Sequence, residues 1–204
     1  QEKLCEGACV VGFAIRPDGR KEPPVTIGKL EAFCTDAQRA ELDGYPLPRY
    51  MPEPTGRNVA VIGSGPAGLA VAEQVALKGH GCTVFEYWPE PGGVLVYGIP
   101  NFKMRKSIVD QYVAYLEKLG VKFRCNTYVG RDITLDQMFE GEFDAVFLGT
   151  GAGVGNVMEI EGEELEGVHK ATDFLVRGNL SLNKLPGALQ DPLPAPHNVV
   201  VIGG

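Results

Sequence analysis

The stretch RNVAVIGSGPAGLA, residues 57–70, decides the fold. A short apolar run, 59–62, leads into Gly63, Gly65 and Gly68 in G-x-G-x-x-G order, and an alanine-rich stretch with helical character continues to Leu77. Pattern and turn chemistry together predict a strand, a tight turn and a helix. In such a turn the first glycine permits the bend, the second lets backbone approach a diphosphate, and the third lets helix pack closely on strand. The helix amino terminus then offers free N–H groups and a partial positive charge, each favourable contact with an anion contributing roughly 0.3–1 kcal/mol. Taken alone, the glycines also suit a turn that merely packs a helix on a strand.

Downstream residues favour the nucleotide. A second apolar run, 82–85, ends at Glu86, about twenty residues beyond the turn, where a carboxylate accepts hydrogen bonds from ribose hydroxyls. NAD and FAD both present a diphosphate and an adenosine ribose to this turn, so the choice between them stays open here. Gly92-Gly93 follows, then a break at Gly98-Ile99-Pro100. Ile108, Tyr112, Tyr115, Leu116 and Leu119 recur at helical spacing, with Gly120 where a left-handed cap ends the helix. Residues 121–124 predict another strand, and FDAVFLGTG, residues 143–151, a further one running into a Thr-Gly turn. The alternation predicts an α/β fold, a Rossmann-like domain with a parallel sheet covered by helices.

Composition bounds the rest. With 204 residues, 44% hydrophobic and 22% charged, the chain suffices for one cored domain plus pieces of others. A net charge of -7 gives no basic footprint for nucleic acid, and no apolar run approaches the roughly 20 residues of a membrane span. The opening QEKLCEGACV has neither Met nor an apolar signal core, and is read as a cut start. Five cysteines, an odd number without secretory marks, point to a reducing, cytoplasmic setting. Cys82 and Cys125 read as small buried residues at strand edges, and His80, His169 and His197 as surface histidines. Two proline-dense stretches, 45–54 and 185–196, read as linkers. Cys5 and Cys9 stand four apart. On spacing alone they are free thiols or part of a ligand set, since two thiolates do not complete a zinc or iron–sulfur site.

The order of RNVAVIGSGPAGLA, PGGVLVYGIPNFKM (91–104) and FDAVFLGTG resembles the FAD domain of the NADPH-dependent glutamate synthase small-subunit family. Similar modules occur in the amino-terminal half of dihydropyrimidine dehydrogenase and in the large subunit of bifurcating NADH-dependent ferredoxin:NADP oxidoreductases. The resemblance covers nearly the whole chain. It implies FAD at Gly63, Ser64, Gly65, Pro66, Ala67 and Gly68, with the adenosine ribose at Glu86 beside Tyr87. Gly93, Val94 and Lys103 then lie along the rest of the cofactor, the backbone of Val129 meets the adenine, and Gly151 closes near the flavin. Val96 is a departure, standing where relatives often carry arginine.

The same resemblance places CEGAC at the end of a longer cysteine series that ligates two [4Fe–4S] clusters. Cys5 then shares one cluster with an oxygen ligand at Glu31, Cys9 completes the other, and Cys34 matches no ligand position. The implied organisation is the carboxyl-terminal part of a helical iron–sulfur domain (1–52), the first part of the FAD-binding domain (53–166), a crossover and linker (167–197), and the first strand of a truncated NADPH-binding domain (198–204). The whole protein is then expected to oxidise NAD(P)H through FAD and pass electrons by way of the clusters to a larger partner subunit. The cofactors carry that chemistry, so no catalytic side chain is named. With three cluster ligands and half of a second glycine turn, this chain is expected to hold neither cluster nor NADPH, to keep FAD weakly and to be inactive alone. The alternatives are a bifurcating transhydrogenase subunit, a stand-alone FAD or NAD oxidoreductase, and a nucleotide-binding module without flavin.

Overall fold

The computed structural model describes residues 5–153, 155, 157–180, 185 and 197–203. The chain divides into two units, Gln1–Pro46 and Leu47–Gly204. Their boundary falls within the first proline-dense stretch, which carries no helix or strand.

The first unit holds two 3₁₀ turns, Glu6–Ala8 and Val10–Phe13, and one long helix, α1 (Ile27–Leu42), closed by Asp43 in the left-handed region at φ 48°. Cys5 and Cys9 therefore bracket a 3₁₀ turn rather than a turn of α-helix. None of these elements buries a residue within the described structure.

The second unit runs β1 (Asn58–Ile62), α2 (Pro66–Ala76), β2 (Gly81–Phe85), α3 (Val94–Tyr97), α4 (Ser107–Lys118), β3 (Lys122–Arg124), α5 (Leu135–Glu140), β4 (Ala145–Leu148) and α6 (Ala171–Asn179). The sheet is parallel in the order β3-β2-β1-β4, with Ile62 opposite both Phe85 and Leu148. This is the α/β, Rossmann-like architecture expected from the alternation of apolar runs and helical stretches.

β1 lies at the centre, and side-chain alternation sends its residues to two different layers. Ala60 and Ile62 join Phe85, Met138 of α5 and Phe143 in one cluster. Val61, fully buried on the other face, lies beneath Gly68 of α2. α4 covers α2 in turn, where the hydroxyls of Tyr112 and Tyr115 donate to the Glu73 carboxylate at 2.6 and 3.1 Å. α5 is only six residues long, but Thr134 and Gln137 close a reciprocal capping box at its start. α3 and α6 pack together, Val176 and Leu180 lying against Val96, Tyr97 and Val109, while Asn179 donates to the Tyr97 carbonyl at 3.0 Å.

Several sequence expectations are refined. Gly120 has φ 94° and ends α4 as expected, but β3 starts one residue later than predicted because Val121 donates back to Leu116 at 3.0 Å. β4 begins at Ala145, since Asp144 is occupied with Asn58 through both backbone and side chain. His80 is half-buried rather than a free surface residue, its Nδ1 2.6 Å from Thr55 Oγ1. Cys125 is half-buried, unlike Cys82, which is buried. The segment read as crossover and linker contains α6. Of the second proline-dense stretch, residues 186–196 lie outside the described residues, as do Gln1 to Leu4 and Gly204. Residues 197–203 carry no helix or strand, and Val199, Val200, Val201 and Ile202 are exposed; a strand exists only as part of a ladder, and none pairs with them among the described residues. No helix of the described residues is long and apolar enough to cross a membrane.

Candidate functional site

The chain leaves β1 toward β2 on one side, while β4 flanks β1 on the other, so the order of strands reverses there. In open α/β sheets the crevice beyond the carboxyl ends of the strands at such a reversal is where ligands bind. The glycine turn sits at that place. Gly63, at φ 93°, donates to Phe85 O at 2.8 Å, and a Cβ on it would lie 2.4 Å from Gly149 O, just past β4. A Cβ on Gly68 would lie 1.9 Å from Gly63 O. Both glycines are therefore required by the protein's own backbone.

Gly65 differs. Its φ is -67°, and a Cβ there would meet nothing within 4 Å. It caps α2 with no side-chain hydrogen bond, and Pro66 at the first helical position has no N–H. The early amides of α2 have no acceptor within the helix. An open, Cβ-sized space at an uncapped helix amino terminus fits a diphosphate.

Glu86 lies next to this turn and is only 5% exposed. Its Oε2 accepts from Ser64 N at 2.9 Å and from Ser64 Oγ, and its Oε1 accepts from Trp88 N at 2.9 Å. These bonds use three of roughly four acceptor positions on a carboxylate and leave one for a ribose hydroxyl. Ser64, with no exposed surface, accepts from Gly92 N at 2.9 Å through its Oγ. Its side chain is thus part of the scaffold joining three loops. A Cβ on Gly93 would fall 2.6 Å from Gly65 Cα, so the double glycine rests directly on the turn.

The other expected contacts spread outward from here. Tyr87 is half-exposed, its ring edge-on to Trp88 and to Tyr128, each at 5.4 Å, and Trp88 stacks on Tyr97 at 4.7 Å. Val94 opens α3 and is exposed, as is Lys103. Val129 is half-buried, packed against the cluster around Phe85 and Met138. Gly151, exposed at φ 67°, follows β4. Val96 is 4% exposed between Tyr97 and Val109, so the departure from arginine belongs to the core. Sequence reasoning missed Lys106, whose Nζ donates to Leu95 O at 2.8 Å and to Ile99 O, partial burial holding its pKa below the ordinary lysine value. A cleft of about 420 Å³ lined by Phe85, Arg124, Thr127, Asp132, Ile133 and Gln137 lies toward α5 and includes no residue of the glycine turn.

In the first unit Cys5 and Glu31 are exposed and Cys9 is half-buried. Cys9 Sγ accepts from Val25 N at 3.4 Å, and this bond, with others from the amides of Val11 and Gly12, lowers its pKa. Backbone amides turned on a sulfur favour the thiolate, the form that binds metal. Among the described residues, however, no three His, Cys, Asp or Glu side chains converge on a metal position. Cys5, Cys9 and Glu31 do not by themselves complete a cluster site among the described residues. Burial pushes the thiols of Cys82 and Cys125 up to about 11.

Residues 57–204 match the pyridine nucleotide-disulphide oxidoreductase family. The chain is 42% identical over 171 residues to the glutamate synthase [NADPH] small chain of Bacillus subtilis, covering 84% of this chain and 33% of the relative. It is 41% identical to the small chain of Mycobacterium tuberculosis over 204 residues, 98% of this chain and 40% of that one. It therefore spans well under half the length of these curated relatives. Among solved structures it is similar to Mycobacterium tuberculosis FprA in complex with NADPH, with a TM-score of 0.53 and 27% identity, over 58% of this chain and 28% of that one.

Proposed function

Since the chain belongs to the pyridine nucleotide-disulphide oxidoreductase family, we propose that residues 53–166 are the first part of the FAD-binding domain of an NAD(P)H-dependent oxidoreductase of the glutamate synthase small-chain kind. The open space at Gly65 carries this reading. Its two companion glycines are explained by contacts inside the protein; Gly65 is explained by a diphosphate lying on its backbone. The similarity to a protein solved with NADPH supports a nicotinamide nucleotide as the hydride source.

FAD, held by these residues, would supply the redox chemistry that links a two-electron hydride donor to one-electron acceptors. The chain's own residues bind and orient. The amides of Ala67 and Gly68 meet the diphosphate across Gly63, Ser64, Gly65 and Pro66, and the remaining acceptor position of Glu86 takes a ribose hydroxyl. Tyr87 and the backbone of Val129 serve the adenosine end, while Gly93, Val94, Lys103 and Gly151 extend toward the flavin. Hydride transfer requires no protein acid or base, so none is assigned.

On the same reading residues 1–52 belong to an iron–sulfur domain with ligands at Cys5, Cys9 and Glu31, residues 167–197 to a linker, and residues 198–204 to an NADPH-binding domain. The whole protein then passes electrons by way of [4Fe–4S] clusters to a larger subunit in the cytoplasm. Relatives named as small chains support that partner.

The test is calorimetric titration of the purified chain with FAD beside the variant Gly65→Ala. The substitution adds a methyl to open space, so the unfolding free energy changes by no more than about 1 kcal/mol, the cost of alanine at a helix cap, while FAD binding is lost. Failure of the wild-type chain to take up FAD, or an unaffected Gly65→Ala variant, overturns the assignment.

A further inference from the structure

We propose that Lys106 is a positioning residue for the dinucleotide site: its ammonium ties the end of α3 down and thereby holds Gly93 against Gly65. A cation at the start of a helix opposes the helix dipole, and Lys106 is the residue that precedes α4. Its side chain turns away from α4 and reaches the other polarity. Nζ donates to Leu95 O within α3 and to Ile99 O just beyond it. The last carbonyls of a helix have no internal partner, and a lysine there is favoured by both hydrogen bonding and the dipole.

α3 requires such a support. It is a single turn of four residues, too short to persist on local hydrogen bonds, and its cap, Gly93, supplies no side-chain bond. Gly93 has φ 52° and a Cβ on it would fall 2.6 Å from Gly65 Cα, so the start of α3 rests on the backbone of the glycine turn. Lys106 thus fixes one end of a four-residue rod whose other end bears on the Gly65 backbone that the diphosphate would meet. Lys103, three residues earlier, is exposed, and among its described bonds only the backbone N–H takes part, donating to Pro100 O at 2.9 Å.

The ligand side of this inference rests on the FAD reading, so the experiment measures the clamp both with and without ligand. Amide hydrogen exchange of residues 95–99 is followed in the full chain, FAD-free, for wild type, Lys106→Met, Lys106→Gln, Lys106→Arg and Lys103→Met, and FAD affinity is then titrated for each. Loss of two charge-assisted bonds is expected to speed exchange in α3 about tenfold and weaken FAD about tenfold in Lys106→Met and Lys106→Gln. Lys106→Arg retains a donor of similar reach and restores both, while Lys103→Met leaves α3 exchange unchanged. Unchanged exchange in both neutral Lys106 variants, with α4 still protected, overturns the clamp. Faster exchange without weaker FAD binding overturns its role at the site. A wild-type chain that takes up no FAD overturns the FAD reading and, with it, the site role, while the ligand-free exchange still decides whether the clamp exists.

Discussion

A buried carboxylate without a cationic partner among the described residues is an expensive group unless its oxygens are hydrogen-bonded, and both oxygens of Glu86 are engaged, by Ser64 and Trp88. Glu86→Gln places an amide nitrogen where an acceptor is required, or weakens each bond if the amide turns. Stability is expected to fall by about 1–3 kcal/mol, the range for losing hydrogen bonds to a buried charge, with FAD affinity falling as well; urea denaturation and calorimetry measure the two. The thiols divide by environment. Cys9, with its lowered pKa, is expected to react with iodoacetamide faster than Cys82 and Cys125 near neutral pH, with peptide mass mapping as the readout. Cys82 and Cys125 hold their protons to about 11, against an ordinary 9.0. Between those values the unfolded chain has lost protons that the folded chain keeps, so stability falls as pH rises through that window, which urea curves along the alkaline limb measure. At this scale the distance from the turn points to Glu86, and the resemblance includes Ser64 among the cofactor residues. The bond that joins the two is not legible, because Ser64 occupies an x position of the motif, which carries no information on side-chain partners. Lys106 is silent in the sequence for the same kind of reason: a lysine in a loop gives no sign of which carbonyl lies within reach.

Elements were legible where a periodic pattern ran long enough to show. β1, α2, β2 and α4 follow from apolar spacing and from glycines at the ends, and the strand order places the turn at the point of reversal. α3 was invisible because one turn between Gly93 and Gly98 has no period to read, and its helicity comes from Trp88 stacking, α6 and Lys106. α5 carries its own local signal, the Thr134 and Gln137 box ahead of Met138. Thr134→Ala should cost about 1 kcal/mol, the usual loss of a side-chain cap, measured by urea unfolding. Gly68→Ala is expected to be far worse, since its methyl would fall 1.9 Å from Gly63 O, backbone that cannot yield without moving α2 off β1. Circular dichroism and solubility of that variant, set beside those of Gly65→Ala, separate the glycine the fold needs from the one it does not.

Across the whole chain, apolar surface is distributed unevenly between the two units. The elements of Gln1–Pro46 bury nothing within the described structure, and Val10, Phe13, Ile15, Leu30 and Phe33 are more than half exposed, whereas Leu47–Gly204 encloses Ala60, Val61, Leu69, Val84 and Leu116 almost completely. Limited proteolysis is therefore expected to cut first at or before the boundary near Pro46 and to leave a resistant fragment that melts like the intact chain, as read by gel and by calorimetry. The organisation into a cored α/β body was legible because its strands are central and nearly continuous in apolar residues. What Cys5, Cys9 and Glu31 do was not, since a ligand set is a matter of convergence in space and spacing alone carries no such information. The chain contains a single tryptophan, and it is Trp88. Its backbone hangs from the carboxylate of Glu86 and its indole lies on Tyr97 of α3. Excited at about 295 nm, where tyrosine barely absorbs, the polypeptide's indole emission consequently originates beside its glycine loop, so that a fluorimeter with no label attached registers whether the loop, the acid and the short helix behind them hold together or come apart.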